Sequence, residues 1–267
     1  MRFVAPPRGQ IDLTVFERPP LSEWREFDGL LRSAAWPDVD ALNALRRDSS
    51  MPHFITQTRE LEDEGLHYES RIDAHGAIAT RPANWHDLLN ALIWIRYPRL
   101  KAALNRRQVA EIAVAGPKQR TRAQCALTHF DEAGVIVVLR DASLLPAWDA
   151  HDWTDLFWKR RDAWRSGDAV AIVFGHALLE HALRADQLLC GKTLVLVADT
   201  DPANAVDAIA NRIADATLLR DPQELRPLPL SGIPGWLDVN ENAMFYRTAA
   251  CFSPLRVGRR YPQPVFI

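Results

Sequence analysis

An α+β (mixed α/β) fold, with a small central sheet surrounded by helices, is predicted by three observations. Two four-residue turns ending in Gly each lie between runs of alternating or β-branched residues, 67–81 and 125–141. The run TLVLVAD, 193–199, reads as a further strand. Most of the remaining chain carries helical spacing or helix start signals. The sheet is therefore expected to consist of two hairpins and one added strand.

The chain has 267 residues, 48% apolar and 25% charged, enough to bury a sizeable core. No Pro/Gly/Ser-rich linker divides it, so one globular domain over 1–267 is expected. Residues 1–20 hold four prolines and read as an extended arm lying on the surface. Residues 21–47 read as helix in two pieces, starting near Ser22-Glu23 and broken near Trp36-Pro37. The hairpins are HYESRI–DAHG–AIATR and CALTHF–DEAG–VIVVLRD, with Asp73 and Gly76 matching Asp131 and Gly134. Shared turn chemistry explains that match without an internal repeat.

Between the hairpins, Asn84 followed by Asp87 marks a helix N-terminus. Leu88, Leu89, Ala91, Leu92, Ile93 and Ile95 make this helix apolar on most sides and hence central. Tyr97-Pro98 ends it, and a basic helix over 99–110 follows. Residues 151–165 read as a helix rich in Trp and Arg. Over 168–184 two readings stand: a buried strand leading into a helix at Gly175, or one long helix. Asp201 and Pro202 then cap an amphipathic helix. The last stretch, 221–267, is irregular and is expected to wrap over the core; within it RPLPLSGIPGW holds three prolines, two glycines and a Trp.

Net charge is −2, which gives no global attraction to nucleic acid or anionic membrane. The segment 96–122 is the exception, with Arg96, Arg99, Lys101, Arg106, Arg107, Lys118, Arg120 and Arg122 against Glu111 alone; the rest of the chain carries about −9. This segment reads either as a phosphate-binding surface or as a solvated helix face. Tyr97 is its one aromatic for base stacking, which favours the solvated face. Cys125, Cys190 and Cys251 are sparse and unpaired in spacing, against both a disulfide framework and a thiolate zinc cluster. The N-terminus has no signal-peptide core, and no run of apolar residues is long enough to span a membrane. A cytoplasmic protein without membrane contact is expected.

No P-loop, dinucleotide fingerprint, nucleophile elbow, zinc-protease motif or EF-hand is present. Two polar clusters stand out. In Asn84-Trp85-His86-Asp87 with Asn90, His86 and Asn90 share a helix face. The cluster reads as a ligand-binding site or as a cap plus a satisfied core histidine. In Gly175-His176-Ala177-Leu178-Leu179-Glu180-His181, His176 and Glu180 share a face while His181 is turned about 100° away. A His/Glu pair can bind a divalent metal or form a base and its orienter. His86 or Asp87 would complete a site only if the two helices meet. Trp148, Trp153, Trp158 and Trp164 read as core, whereas Trp85 and Trp236 adjoin candidate sites. Ser143, Thr80 and Cys125 have no adjacent base.

Several strings together resemble a bacterial family of unknown function, DUF3025. They are TRPANWHDLLNALIWIRYPRLKAALNRRQ (80–108), FGHALLEHAL (174–183), LPLSGIPGW (228–236) and the pair Phe245-Tyr246. The resemblance runs from about residue 50 to 255. It implies a proteobacterial single-domain protein and no particular activity, so it assigns no catalytic residue. Where the family often has a His after the paired arginines, this chain has Gln108.

Two functions of different class are therefore expected. One is a small hydrolase-like enzyme assisted by one divalent metal: His86, Asp87, His176 and Glu180 are catalytic, with His86, His176 and Glu180 the candidate ligands. Asn84, Asn90, Trp85 and Trp236 would bind a small or phosphate-bearing substrate. The other is a non-enzymatic protein that binds an anionic partner such as nucleic acid through 96–122.

Overall fold

A computed structural model describes residues 3–116 and 119–267, so Lys118 of the basic segment lies outside the described residues. The fold is mixed, with a small sheet surrounded by helices. The expected extended arm is instead folded in. It forms 3-10 turns at Arg8–Gln10 and Leu13–Glu17, the second anchored by buried Val15 and Phe16. A 3-10 helix, Leu21–Phe27, leads into α1 (Asp28–Leu31), and the break expected near Trp36-Pro37 separates α1 from α2 (Val39–Ala44).

Strand β1 (His53–Thr56), helices α3 (Arg59–Asp63) and α4 (Tyr68–His75), and strand β2 (Ala77–Thr80) follow. β1 and β2 pair in parallel, from His53 opposite Ala77 to Thr56 opposite Thr80. Parallel neighbours need a crossover, and α3 and α4 supply it. Then come α5 (Trp85–Arg96), α6 (Pro98–Ala115), α7 (Arg122–Ala133), β3 (Gly134–Leu139), α8 (Leu145–Asp149), a π-helical turn at Thr154–Lys159, α9 (Arg161–Ser166), β4 (Ala169–Val173) and α10 (His176–His181). The chain closes with β5 (Cys190–Val197), α11 (Pro202–Ala214), β6 (Arg226–Pro229), α12 (Phe245–Thr248) and β7 (Val265–Phe266).

The main sheet has the order β4-β3-β5-β6, with β7 added alongside β5. β3 is central and buried along its whole length. It runs antiparallel to β4 and parallel to β5. The region 168–184 is thus strand then helix, the first of its two readings. α5 is as apolar as its sequence requires, burying Leu88, Leu89, Leu92 and Ile93. Trp148, Trp153 and Trp164 are buried, each with its indole N–H donated to a main-chain carbonyl. The C-terminal stretch is largely irregular, but contributes β6 and β7 to the sheet. No helix among the described residues is long and apolar enough to cross a membrane.

Neither expected hairpin forms. Residues 67–75 are the cap and body of α4, and Gly76 (φ +57°) is its left-handed C-terminal stop, its N–H donated to Ile72 O at 2.9 Å. Such a stop and a tight turn ask for the same glycine, which makes the two alike in sequence. Residues 125–133 belong to α7. This helix buries Ala123, Ala126, Leu127 and Phe130, a helical spacing, and Thr121 and Gln124 close a reciprocal capping box at its start. Both segments are therefore helix-to-strand junctions, and both deliver polar side chains to one place.

Candidate functional site

α10 packs against α5 and α7, while α6 packs against α4 and α7. The N-termini of α5, α10 and α4 and the C-terminus of α7 converge on a cavity of about 290 Å³. One tight contact sets the spacing. Gly134 O accepts from both Phe174 N and Gly175 N, at 2.9 and 2.8 Å. A Cβ on Gly175 would stand 2.5 Å from Ala133 Cα and 2.5 Å from Gly134 N. Only glycine lets the chain lie this close, and the contact brings the first residue of α10, His176, against the last turn of α7.

His86, on the first turn of α5, is the hub. Its Nδ1 is 3.0 Å from Glu180 Oε2 and its Nε2 is 3.0 Å from His176 Nε2. Glu132 Oε2 completes a triangle, 3.4 Å from His176 Nε2 and 4.0 Å from His86 Nε2. All three atoms lie within 4.8 Å of one another, a spacing one cation can bridge. An ionised carboxylate only accepts, so Glu180 holds a proton on His86 Nδ1. The neutral ring then turns its Nε2 lone pair toward His176 and Glu132.

The electrostatics suit a cation. His176 is buried, and burial drives its pKa down to about 3, against the opposing pull of the Asp131 carboxylate and main chain. Its Nδ1 lies 3.9 Å from Asp131 Oδ2. For His86 the desolvation that lowers its pKa is outweighed by the Glu180 hydrogen bond and the Glu132 charge, and the net shift is upward. Burial raises Glu132, with His86 opposing. Asp131 is held below its ordinary range despite burial, because Lys101 Nζ donates to its Oδ1 at 2.6 Å.

A second row of polar groups backs this centre. Lys101 also donates to Asn90 Oδ1 (2.9 Å), and Asn90 Nδ2 donates to the Tyr68 hydroxyl (2.9 Å). Asn105 Nδ2 donates to Glu69 Oε2 at 2.6 Å. Burial, then the Asp131 charge, pushes the Glu69 carboxyl up to about 7.

The expected residues distribute as follows. His86, His176 and Glu180 come together, and Glu180 stands behind His86 rather than beside the facing Nε2 atoms. Asp87 lines the cavity but is committed to Arg81, accepting from its main chain and both ends of its guanidinium. Asn90 lines the cavity. Asn84 does not; its side chain caps α5 through Asp87 N at 3.0 Å. Trp85 is buried under Arg8 and against Trp36, and Trp236 lines a separate small crevice. The sequence assigns none of Glu132, Asp131, Tyr68, Glu69 and Lys101 to this site; it offers Lys101 only as part of the basic segment and Asp131 only as a turn residue. The first four fall within the two misread hairpins. The spacing Lys101, Asn105, Gln108 on one buried face of α6 was the available signal for the last.

The basic segment is mostly committed internally. Arg96 pairs with Glu26, Arg99 with Asp207, Lys101 with Asp131, Arg107 with Glu111, and Arg122 with Asp221.

A family model described as a protein of unknown function (DUF3025) matches residues 52–256, most of the chain. No curated protein and no solved structure matches it.

Proposed function

The chain belongs to the DUF3025 family, and from the site itself we propose that it is a metal-assisted hydrolase centred on His86, His176 and Glu132. The observation that carries this reading is the convergence of three atoms able to ligate a cation, two of them histidine Nε2 atoms 3.0 Å apart, on the wall of a polar cavity. Two imidazole nitrogens this close share either a proton or a cation. Two histidines and one carboxylate form a ligand set that leaves a zinc ion a position open to substrate. Bound there, the ion would lower the pKa of a water and polarise a substrate oxygen.

The chain's own groups support this work. Glu180 fixes the His86 tautomer and ring direction through Nδ1, as an outer carboxylate does for a metal-bound histidine. Lys101 neutralises Asp131 behind His176. Glu69, whose carboxyl burial raises to about 7, lines the cavity and would take or return a proton at neutral pH. The alternative reading, an anionic partner on 96–122, has less support because five of the eight cations there have acidic partners within the chain.

The test is elemental analysis of protein purified without chelator and then offered zinc, beside His86→Ala, His176→Ala and Glu132→Gln. One zinc per chain, lost in each variant, is expected, together with zinc-dependent hydrolysis of p-nitrophenyl acetate or bis-p-nitrophenyl phosphate. A wild-type chain that retains no divalent metal at any concentration tested ends the proposal.

A further inference from the structure

Tyr68 is the first residue of α4 and lines the same cavity as His86, His176 and Glu132. Its hydroxyl meets Asn90 Nδ2 at 2.9 Å, and what lies behind Asn90 dictates the direction of that bond. The Lys101 ammonium can only donate, and it reaches Asn90 at 2.9 Å and Asp131 at 2.6 Å. The Asn90 atom facing Lys101 must therefore be its oxygen, which fixes an amide orientation that is otherwise ambiguous. The Asn90 nitrogen then faces Tyr68 and can only donate. The phenol oxygen is the acceptor, and its own proton has to point elsewhere. Among the described residues no protein group accepts it. Burial, with the Glu69 charge adding, lifts the phenol far above its ordinary pKa, so it stays a neutral donor.

Resting on the metal-site reading above, we propose that Tyr68 is a catalytic hydrogen-bond donor to the substrate oxygen. The substrate is then a carbonyl or phosphoryl compound, an ester, amide or phosphoester, whose acceptor oxygen gains negative charge as water adds. In that step the water oxygen bonds to carbon or phosphorus. The bond to the leaving oxygen or nitrogen breaks, and the protons of water end on the two products. Tyr68 keeps its proton throughout and contributes a preorganised dipole. Lys101 and Asn90 are positioning residues: they keep the hydroxyl proton off Asn90 and so free to be donated to a ligand in the cavity that Tyr68 lines.

Inorganic phosphate is the probe of the donor, titrated calorimetrically into zinc-loaded wild type and Tyr68→Phe. The expected result is about tenfold weaker binding in the variant at equal zinc content, the loss of one hydrogen bond to a charged group. A second variant covers a Tyr68→Phe chain that does not fold. In Asn90→Asp the new carboxylate accepts from Lys101 and from Tyr68 alike, so the phenol proton turns away from the cavity. Turnover of p-nitrophenyl acetate, a neutral ester, should fall about 10²-fold in Asn90→Asp and stay low in 1 M salt, where the added charge is screened. Unchanged phosphate affinity in Tyr68→Phe, or wild-type turnover in Asn90→Asp, overturns the assignment. Zinc content separates the two failures. Wild type without zinc removes the metal reading and this one with it, whereas bound zinc with an unaffected Tyr68→Phe removes Tyr68 alone.

Discussion

The Nε2 atoms of His86 and His176 stand 3.0 Å apart, in rings that meet nearly edge to face at 79°. Such a contact needs a proton or a metal ion between the nitrogens. His176 is buried and stays neutral, so its single ring proton can sit on Nε2 and be donated to the His86 Nε2 lone pair, while Glu180 holds the proton on His86 Nδ1. In the metal-free chain a shared proton thus occupies the place of the cation.

Metal affinity is consequently expected to depend on pH with a defined sign. The His86 pKa is raised, so below it zinc must displace one proton, and affinity should fall about tenfold per pH unit. Above it the dependence should flatten. In the metal-free chain the same shift stabilises the fold below the unfolded-state pKa of about 6.5 and is lost as pH rises through the folded value. Competition with a chromophoric chelator between pH 5.5 and 8.5 measures the slope; an affinity independent of pH over that range would contradict the His86 assignment.

Glu180 touches no other member of the ligand triangle except through His86. Glu180→Gln should leave zinc stoichiometry intact while weakening affinity by about 10–100-fold, the usual cost of losing an outer carboxylate. The His86 ring should also titrate at lower pH in the variant, followed by histidine NMR of the metal-free protein. Unaltered zinc affinity together with an unmoved His86 titration would show that Glu180 does not orient the ring.

Lys101 is 4% exposed in its side chain and bonded to Asp131, itself 20% exposed. Removing one member of such a pair strands the other, so Lys101→Met should cost about 3–5 kcal/mol in urea unfolding. Adding Asp131→Asn should restore most of that loss, because the stranded charge goes with it. A double variant no more stable than the single would mean that the stem of Lys101, packed over Trp94 with its Nζ 5.4 Å from the ring centre, matters more than its charge.

Legibility followed the range of the signals. α5 and its Asn84 cap, α11 with Asp201 and Pro202, and β5 were readable because caps and periodicity act within a few residues. His86, Glu180 and His176 were visible as chemistry, but their meeting depends on α10 packing on α5, which no local pattern encodes. Asp131 and Glu132 were hidden by reading DEAG as a turn. Yet Thr121 and Gln124, three apart, carried a capping-box signature for a helix through those residues. Tyr68 and Glu69 were lost in the same way, since Gly76 serves a helix stop as well as a turn. β1 has four residues and a parallel partner 24 positions on, so no short-range rule could pair it.

Gly175 ties the sheet to the site. Gly175→Ala would press a methyl against the Ala133 and Gly134 backbone, which cannot yield as a flexible side chain can. A cost of about 1–3 kcal/mol is expected, typical of overpacking. Because relief requires α10 to move off α7, zinc affinity should fall as well. A variant that loses thermal stability but binds zinc like wild type would uncouple the junction from the ligand geometry.

Glu69 gives the last test, and its sign is opposite to that of an ordinary ion-paired acid. Its carboxyl is raised to about 7 by burial and by Asp131, so the folded chain prefers it protonated. The stabilisation is present below the unfolded-state value of about 4.3 and is lost as pH climbs to about 7. The side chain borders the cavity and keeps some contact with water, so the full shift is discounted to about 1–2 kcal/mol. Glu69→Gln keeps an oxygen for Asn105 Nδ2 and cannot ionise. Urea unfolding of metal-free protein at pH 5 and pH 8 should show the variant matching wild type at the lower pH and exceeding it at the higher. If wild type loses no more stability than the variant across that window, Glu69 does not titrate there and cannot move a proton at neutral pH.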